Sequence, residues 1–160
     1  MQMQYHSRAE IAWAAACGGC KRTVGLEKKM PSVLVVDDNE VARKLIAMPL
    51  TEVGFTVETA AGGFEALEKF KAGHHQIVIT DILMADGEGI DLIRSLLADT
   101  PDLPIVAVSA DPRTNPTSSL AMAAKMGARK TLSKPFSALD LLAVVGTLLA
   151  GEDEPEAQPA

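Results

Sequence analysis

The sequence is short of cysteine, of aromatic side chains and of long apolar runs, and its main body is short of positive charge. The only two cysteines form Cys17-Gly-Gly-Cys20. They precede any strand-like segment and have no second pair to complete a zinc tetrad, so neither a disulfide framework nor a zinc module is expected. No apolar stretch approaches the roughly 20 residues that a bilayer span requires, which excludes membrane insertion by a helix. The nearest thing to a leader, Ala9 to Cys17, is short and interrupted by Glu10. Residues 31–150 carry ten Lys or Arg against fifteen acids. With no basic stripe to displace counterions, direct nucleic-acid binding is not expected. Aromatic residues are only 4% of the chain, which leaves packing to Val, Leu, Ile, Ala and Met, with Met as gap filler.

What remains is ordinary globular material of 160 residues with a net charge of −6, enough for one core that buries roughly 70% of the unfolded surface. Residues 1–30 show no clean period and are expected to form a disordered extension, with Met30 a candidate for the natural start. Residues 31–150 are expected to hold the folded domain, and GEDEPEAQPA (151–160) to be a disordered acidic tail. Between them the pattern alternates in βα units. Strands are predicted near 33–37, 56–59, 77–80, 105–108 and 131–133, and helices near 40–53, 63–71, 89–98, 115–126 and 137–149. The strands lack in/out alternation, which predicts a parallel sheet buried on both faces. Asn39 is the expected cap of the first helix, and Pro49 is expected to kink or shorten it. Ser137 with Asp140 resembles a capping box. The helix at 115–126 is Ala-rich and expected to be marginal. His74-His75 reads as a solvated loop pair, and Gly87-Glu-Gly89 does not make a dinucleotide fingerprint.

Each apolar run ends on a polar group. VLVV (33–36) leads into Asp37-Asp38, IVIT (77–80) into Asp81, IVAV (105–108) into Ser109, and TLS (131–133) into Lys134-Pro135. In a doubly wound parallel sheet of order 2-1-3-4-5, the strands' C-terminal ends share one edge, and ligands bind where the order reverses, between strands one and three. Three carboxylates crowded there need a compensating cation, and Mg²⁺, which takes carboxylate and phosphate oxygens together, answers that need. Ser109 adds a hydroxyl and Lys134 a compact positive charge. Any single strand-end acid is as often a cap or a loop residue. The four polar ends together point to a phosphoryl site.

The constellation, with the strings VVDDNE, DILM, MGA and KPF, resembles the receiver domain of bacterial two-component response regulators, of the stand-alone chemotaxis-regulator type, over about residues 31–150. The resemblance implies a flavodoxin-like fold with five parallel strands and five helices. It implies a protein that is not an enzyme in its own right but accepts a phosphoryl group on Asp81 from a histidine kinase or histidine phosphotransfer protein. Mg²⁺ or Mn²⁺ would be held by Asp38, Asp81 and the main-chain carbonyl of Leu83, with Asp37 acting through water. Lys134 would pair with the phosphoryl group, Ser109 would turn to hydrogen-bond it, and the Lys134–Pro135 bond would be cis. A cytoplasmic, single-domain protein is implied. Its output would pass to another protein through a face made by the fourth helix, fifth strand and fifth helix, a face also suited to a homodimer.

Two positions depart from the family pattern. Thr131 stands where relatives usually carry the aromatic switch residue, and Ala85 stands where they usually carry proline. Thr131 keeps open a receiver-like module that no longer uses phosphate. A phosphatase of similar fold would need a second acid or base two residues after the nucleophile, where this chain has Leu83.

Overall fold

The computed structural model describes residues 31–85, 88–110 and 118–150. The two terminal segments singled out above, 1–30 and 151–160, lie outside the described residues. Strands β1 (Ser32–Val36), β2 (Thr56–Ala60), β3 (Ile77–Asp81), β4 (Ile105–Ser109) and β5 (Lys130–Ser133) alternate with five helices. These are α1 (Glu40–Glu52), α2 (Gly63–Ala72), α3 (Glu88–Asp99), α4 (Ser119–Met126) and α5 (Ala138–Ala150). All pairings are parallel, in the order β2-β1-β3-β4-β5, which is the expected doubly wound sheet.

Successive residues of a strand face opposite sides, and the core divides accordingly. Val33 and Val35 of β1, Ile77 and Ile79 of β3, and Val106 and Val108 of β4 pack with Ile46 and Leu50 of α1 and Leu141, Val145 and Leu148 of α5. Leu34, Val36, Val78, Ile105 and Ala107 pack on the other side with Ala66 of α2, Leu92, Ile93 and Leu96 of α3, and Leu120 and Ala123 of α4. Burial on both faces therefore holds for the central strands. It does not hold for β2, whose residues alternate between exposed and half-buried until Ala60, or for β5, where only Leu132 is buried. Both are edge strands with a neighbour on one side only, and this corrects the uniform burial read from their apolar content.

Local chemistry accounts for the helix ends. Asn39 Oδ1 accepts the amides of Val41 and Ala42 at 2.9 and 3.1 Å. Ser137 and Asp140 exchange backbone and side-chain bonds at 2.9 and 3.1 Å, the reciprocal capping box. The helix α4 is capped by Ser118 and stops at Gly127, whose φ of 111° suits a residue without a side chain. Pro49 does not shorten α1, which runs on to Glu52. It sits in the last turn, and Leu45, whose carbonyl loses its partner, lies on the exposed side.

Two bland expectations are corrected. His74 is exposed, but His75 is buried, its side chain 2% exposed, with Nε2 2.7 Å from Glu58 Oε2 and its ring stacked on Phe70. Among the methionines, Met84 is buried, whereas Met48 and Met122 are exposed on α1 and α4. No described helix is long and apolar enough to cross a membrane.

Candidate functional site

The polar ends do meet, because the ladder carries past the last strand residues. Asp37 N–H donates to Ala60 O at 3.2 Å, Ile82 N–H to Val108 O at 2.9 Å, and Lys134 N–H to Ser109 O at 2.8 Å. Backbone bonds therefore tie each functional residue, or its immediate neighbour, to the adjacent strand. The site gains its precision from the sheet rather than from loops.

Asp37, Asp38 and Asp81 each present a carboxylate oxygen within 4.8 Å of the others. Asp37 is fully buried, Asp81 nearly so, and Asp38 exposed. A buried carboxylate is tolerable only when it is hydrogen-bonded and compensated. Asp37 Oδ1 accepts the Asn39 amide at 2.8 Å, and its Oδ2 lies 3.0 Å from Lys134 Nζ. Asp81 Oδ1 accepts the Leu83 amide at 3.1 Å, and its Oδ2 lies 3.1 Å from the same ammonium. Lys134 thus bridges the two least solvated acids. The Lys134–Pro135 peptide bond is cis.

The charges are tuned against one another. Burial pushes the Asp81 carboxyl above the ordinary aspartate value, and hydrogen bonding and attraction to Lys134 offset only part of it. Burial also opposes the Lys134 charge, but its bonds to Asp37 and Asp81 outweigh that and raise its pKa. One ammonium does not fully compensate the cluster, which leaves room for a second cation.

The donor set fits a hard dication, being all oxygen, from three carboxylates within reach of one another. Asp37 and Asp81 each have both oxygens engaged, whereas Asp38 is exposed and is the readiest direct ligand. Asp38 Oδ2 accepts the Ala85 amide at 3.1 Å. A proline at position 85 has no N–H to give, so the substitution noted in the sequence coincides with a bond that holds an acidic residue of the site.

Ser109 is fully buried at the end of β4, with its Oγ 3.0 Å from Ser119 Oγ at the start of α4. Thr131 is half-buried in β5 and pairs with Ala107. Leu83 follows the acidic cluster at 54% exposure.

Gly89 packs against the site, although Gly87-Glu-Gly89 makes no dinucleotide fingerprint. A Cβ there would lie 2.5 Å from Asp81 O, 2.6 Å from Ile82 Cα and 2.7 Å from Ile82 O. These are backbone atoms and cannot swing away. Gly89→Ala should therefore lower stability by roughly 1–3 kcal/mol through overpacking, even though alanine is about 1 kcal/mol the better helix former. Thermal melts with and without Mg²⁺ check this. An alanine variant as stable as wild type would show that α3 does not press on the Asp81 segment.

Residues 33–146 match the family model described as response regulator receiver domain. The DNA-binding transcriptional regulator NtrC of Azospirillum brasilense is 33% identical over 129 residues, covering 81% of this chain and 26% of that protein. The C4-dicarboxylate transport transcriptional regulatory protein DctD of Rhizobium meliloti is 37% identical over 108 residues, covering 68% of this chain and 23% of that protein. The chain thus spans about a quarter of the length of these two relatives. Among solved structures, the chemotaxis response regulator CheY4 of Vibrio cholerae is 29% identical with a TM-score of 0.64, covering 75% of this chain and 97% of that one. The response regulator protein TrrA of Thermotoga maritima, in complex with Mg²⁺ and BeF, is 30% identical with a TM-score of 0.65, covering 74% and 99%.

Proposed function

Because this chain belongs to the response regulator receiver domain family of two-component signalling, we propose that Asp81 is its phosphoacceptor. The observation that carries the reading is the bridge from Lys134 Nζ to Asp37 and Asp81 at 3.0 and 3.1 Å, beside the acidic cluster. An Asp81 oxygen attacks phosphorus in line as the P–N bond of a donor phosphohistidine breaks, and the electron pair of that bond returns to the imidazole nitrogen. Asp38, Asp81 and the Leu83 carbonyl would hold Mg²⁺ or Mn²⁺, with Asp37 acting through water, and the ion would neutralise the phosphoryl oxygens. Lys134 stays paired with the phosphoryl group. Ser109 turns to donate to one of its oxygens.

The phosphodonor is a histidine kinase or histidine phosphotransfer protein in the cytoplasm. Val41, Leu45 and Met48 of α1 are exposed and apolar, begin three residues after Asp38, and offer it contact area beside the acid cluster. Output passes through α4, β5 and α5 to another protein, or to a second copy. Thr131 leaves the signal to Ser109 and α4, since a threonine cannot make the swing of an aromatic ring.

The test is intact-protein mass after incubation with acetyl phosphate. One phosphoryl adduct that requires Mg²⁺ is expected. No adduct under conditions that label an ordinary receiver would remove the reading.

The exposed apolar side chain of Leu83 hinders an in-line water. Leu83→Asn is expected to speed loss of phosphate about tenfold, the equivalent of about 1.4 kcal/mol of barrier. A decay time course of the two phosphoproteins checks it, and equal or slower loss in the variant would dismiss the side chain as a barrier.

A further inference from the structure

Between α1 and the start of α5 the surface carries an apolar groove of about 510 Å³, lined by Leu45, Met48, Pro49, Phe136, Ala138 and Leu141. Glu52 lies at one end of it and Lys134 at the other. Leu45 and Met48 are 66% and 57% exposed, so no other described element covers them. A contiguous apolar patch on a folded domain marks a place where something docks. The chain itself carries side chains that suit it. Trp13 and Tyr5 are its only tryptophan and tyrosine, and both precede Pro31. Residues 9–17, AEIAWAAAC, are apolar but for Glu10. Residues 1–30 hold five Lys or Arg against two Glu, whereas residues 31–150 hold ten against fifteen acids, so long-range attraction favours contact between the two.

We infer that residues 9–17 dock in this groove of their own chain, with the indole of Trp13 as the anchor. The point of entry suits it. Thr56 N–H donates to Pro31 O at 3.2 Å and Phe55 N–H to Leu50 O at 3.0 Å, which sets Pro31 at the end of the domain where α1 finishes and Glu52 closes the groove. Eighteen residues separate Trp13 from Pro31, a reach of up to about 60 Å. The 13 residues of α1 span only about 20 Å. An indole buries a large apolar body and keeps one N–H that needs an acceptor, and the Glu52 carboxylate offers one at the rim. Because the segment is tethered, weak contact is enough to fill the groove. Docked there, it covers Leu45 and Met48, the contact area given above to the phosphodonor. That consequence rests on the reading of Asp81 as phosphoacceptor, and the docking does not: on that reading the donor reaches α1 only when the segment lets go.

Trp13 is the only tryptophan, so the fluorescence of the full chain reports on it alone. Its quenching by acrylamide is measured in buffer and in urea, for wild type, Leu45→Asp, Met48→Asp and Phe64→Asp. Phe64 is exposed on α2, across the sheet from the groove, and serves as the control. In wild type the indole should be shielded, with slow quenching and a blue-shifted emission that urea abolishes. Each α1 variant removes an apolar contact and sets a carboxylate in its place, which should lower the docked-to-free ratio about tenfold. Quenching in both should rise toward the urea value, while Phe64→Asp should match wild type. Both α1 positions are exposed, so neither variant endangers the fold. An indole as accessible in wild type as in urea overturns the inference, and so does equal shielding in all four proteins or equal loss of it in Phe64→Asp. Shielding that grows with protein concentration would place the segment in a second copy and overturns it too. None of these readings involves phosphate, so they stand apart from the acetyl phosphate labelling that decides the role of Asp81.

Discussion

Asp81→Asn is expected to lose the phosphoryl adduct completely and yet to melt at a higher temperature than wild type in Mg²⁺-free buffer at neutral pH. The first half follows from chemistry, since a carboxamide has no anionic oxygen to attack phosphorus and offers a poorer metal ligand. The second half follows from burial. The folded-state pKa of Asp81 lies above its ordinary value, with burial the main cause and Lys134 only partly offsetting it. A raised pKa means that the folded protein binds the proton more tightly than the unfolded chain. That contribution is fully present below the ordinary aspartate pKa and is lost as pH rises through the folded value. At pH 7 the ionised carboxylate is therefore a net cost that asparagine removes, and Lys134 keeps its partner Asp37. The advantage should shrink as pH is lowered through the carboxylate range, and again as Mg²⁺ is added to wild type. Mg²⁺ at about ten times its dissociation constant stabilises by about 1.4 kcal/mol. Melting curves across pH in chelator decide the matter. A variant less stable than wild type at pH 7 would mean that Asp81 is held charged at no cost.

Lys134→Ala should be the most damaging single change at the site without metal. It strips the ammonium from Asp37, which is fully buried, and from Asp81, which is nearly so. Removing one partner of a buried ion pair costs about 3–5 kcal/mol. Lys134 is 25% exposed, and solvent screening reduces the expectation to roughly 1–3 kcal/mol. The raised pKa of Lys134 places its full contribution below the ordinary lysine value, so at pH 7 all of it is at stake. Because the acids left behind repel one another, added Mg²⁺ should recover more stability in the variant than it adds to wild type. Phosphotransfer should remain impaired, since the metal cannot replace the cation beside the phosphoryl group. Denaturant curves with and without Mg²⁺ check both halves. Equal metal stabilisation in the two proteins would show that Lys134 and the dication do not share a task.

The sheet and the acid cluster were legible in the sequence because both are written in short range. Runs such as VLVV and IVIT specify buried parallel strands, and in this topology a polar group immediately after a strand has one place to go. What was not legible depends on residues far apart in sequence. His75 is buried because Glu58, 17 residues earlier, receives its Nε2 and Phe70 covers its ring. The importance of Gly89 arises from the close approach of α3 to the backbone of Asp81 and Ile82, which no local pattern announces. Ser119 meets Ser109 across ten positions of sequence, and the amide of Ala85 reaches Asp38 across 47. The half-exposed character of β2 and β5 reflects their places at the edges of the sheet, which burial inferred from apolar content alone does not anticipate.

The order of the strands also ranks the parts of the site by how easily they come loose. The acids stand at the C-terminal ends of β1 and β3, inside the sheet, whereas Lys134 follows β5, a four-residue strand at the rim with one neighbour. Rim elements open locally at a lower free energy than the interior of a sheet. An excursion that peels β5 and α5 away would carry off the ammonium and leave the three carboxylates in place, still able to hold a metal ion. The protein would then pass through a form that binds the dication but does not retain a phosphoryl group, and amide exchange at Lys130 to Ser133 would report how often it does so.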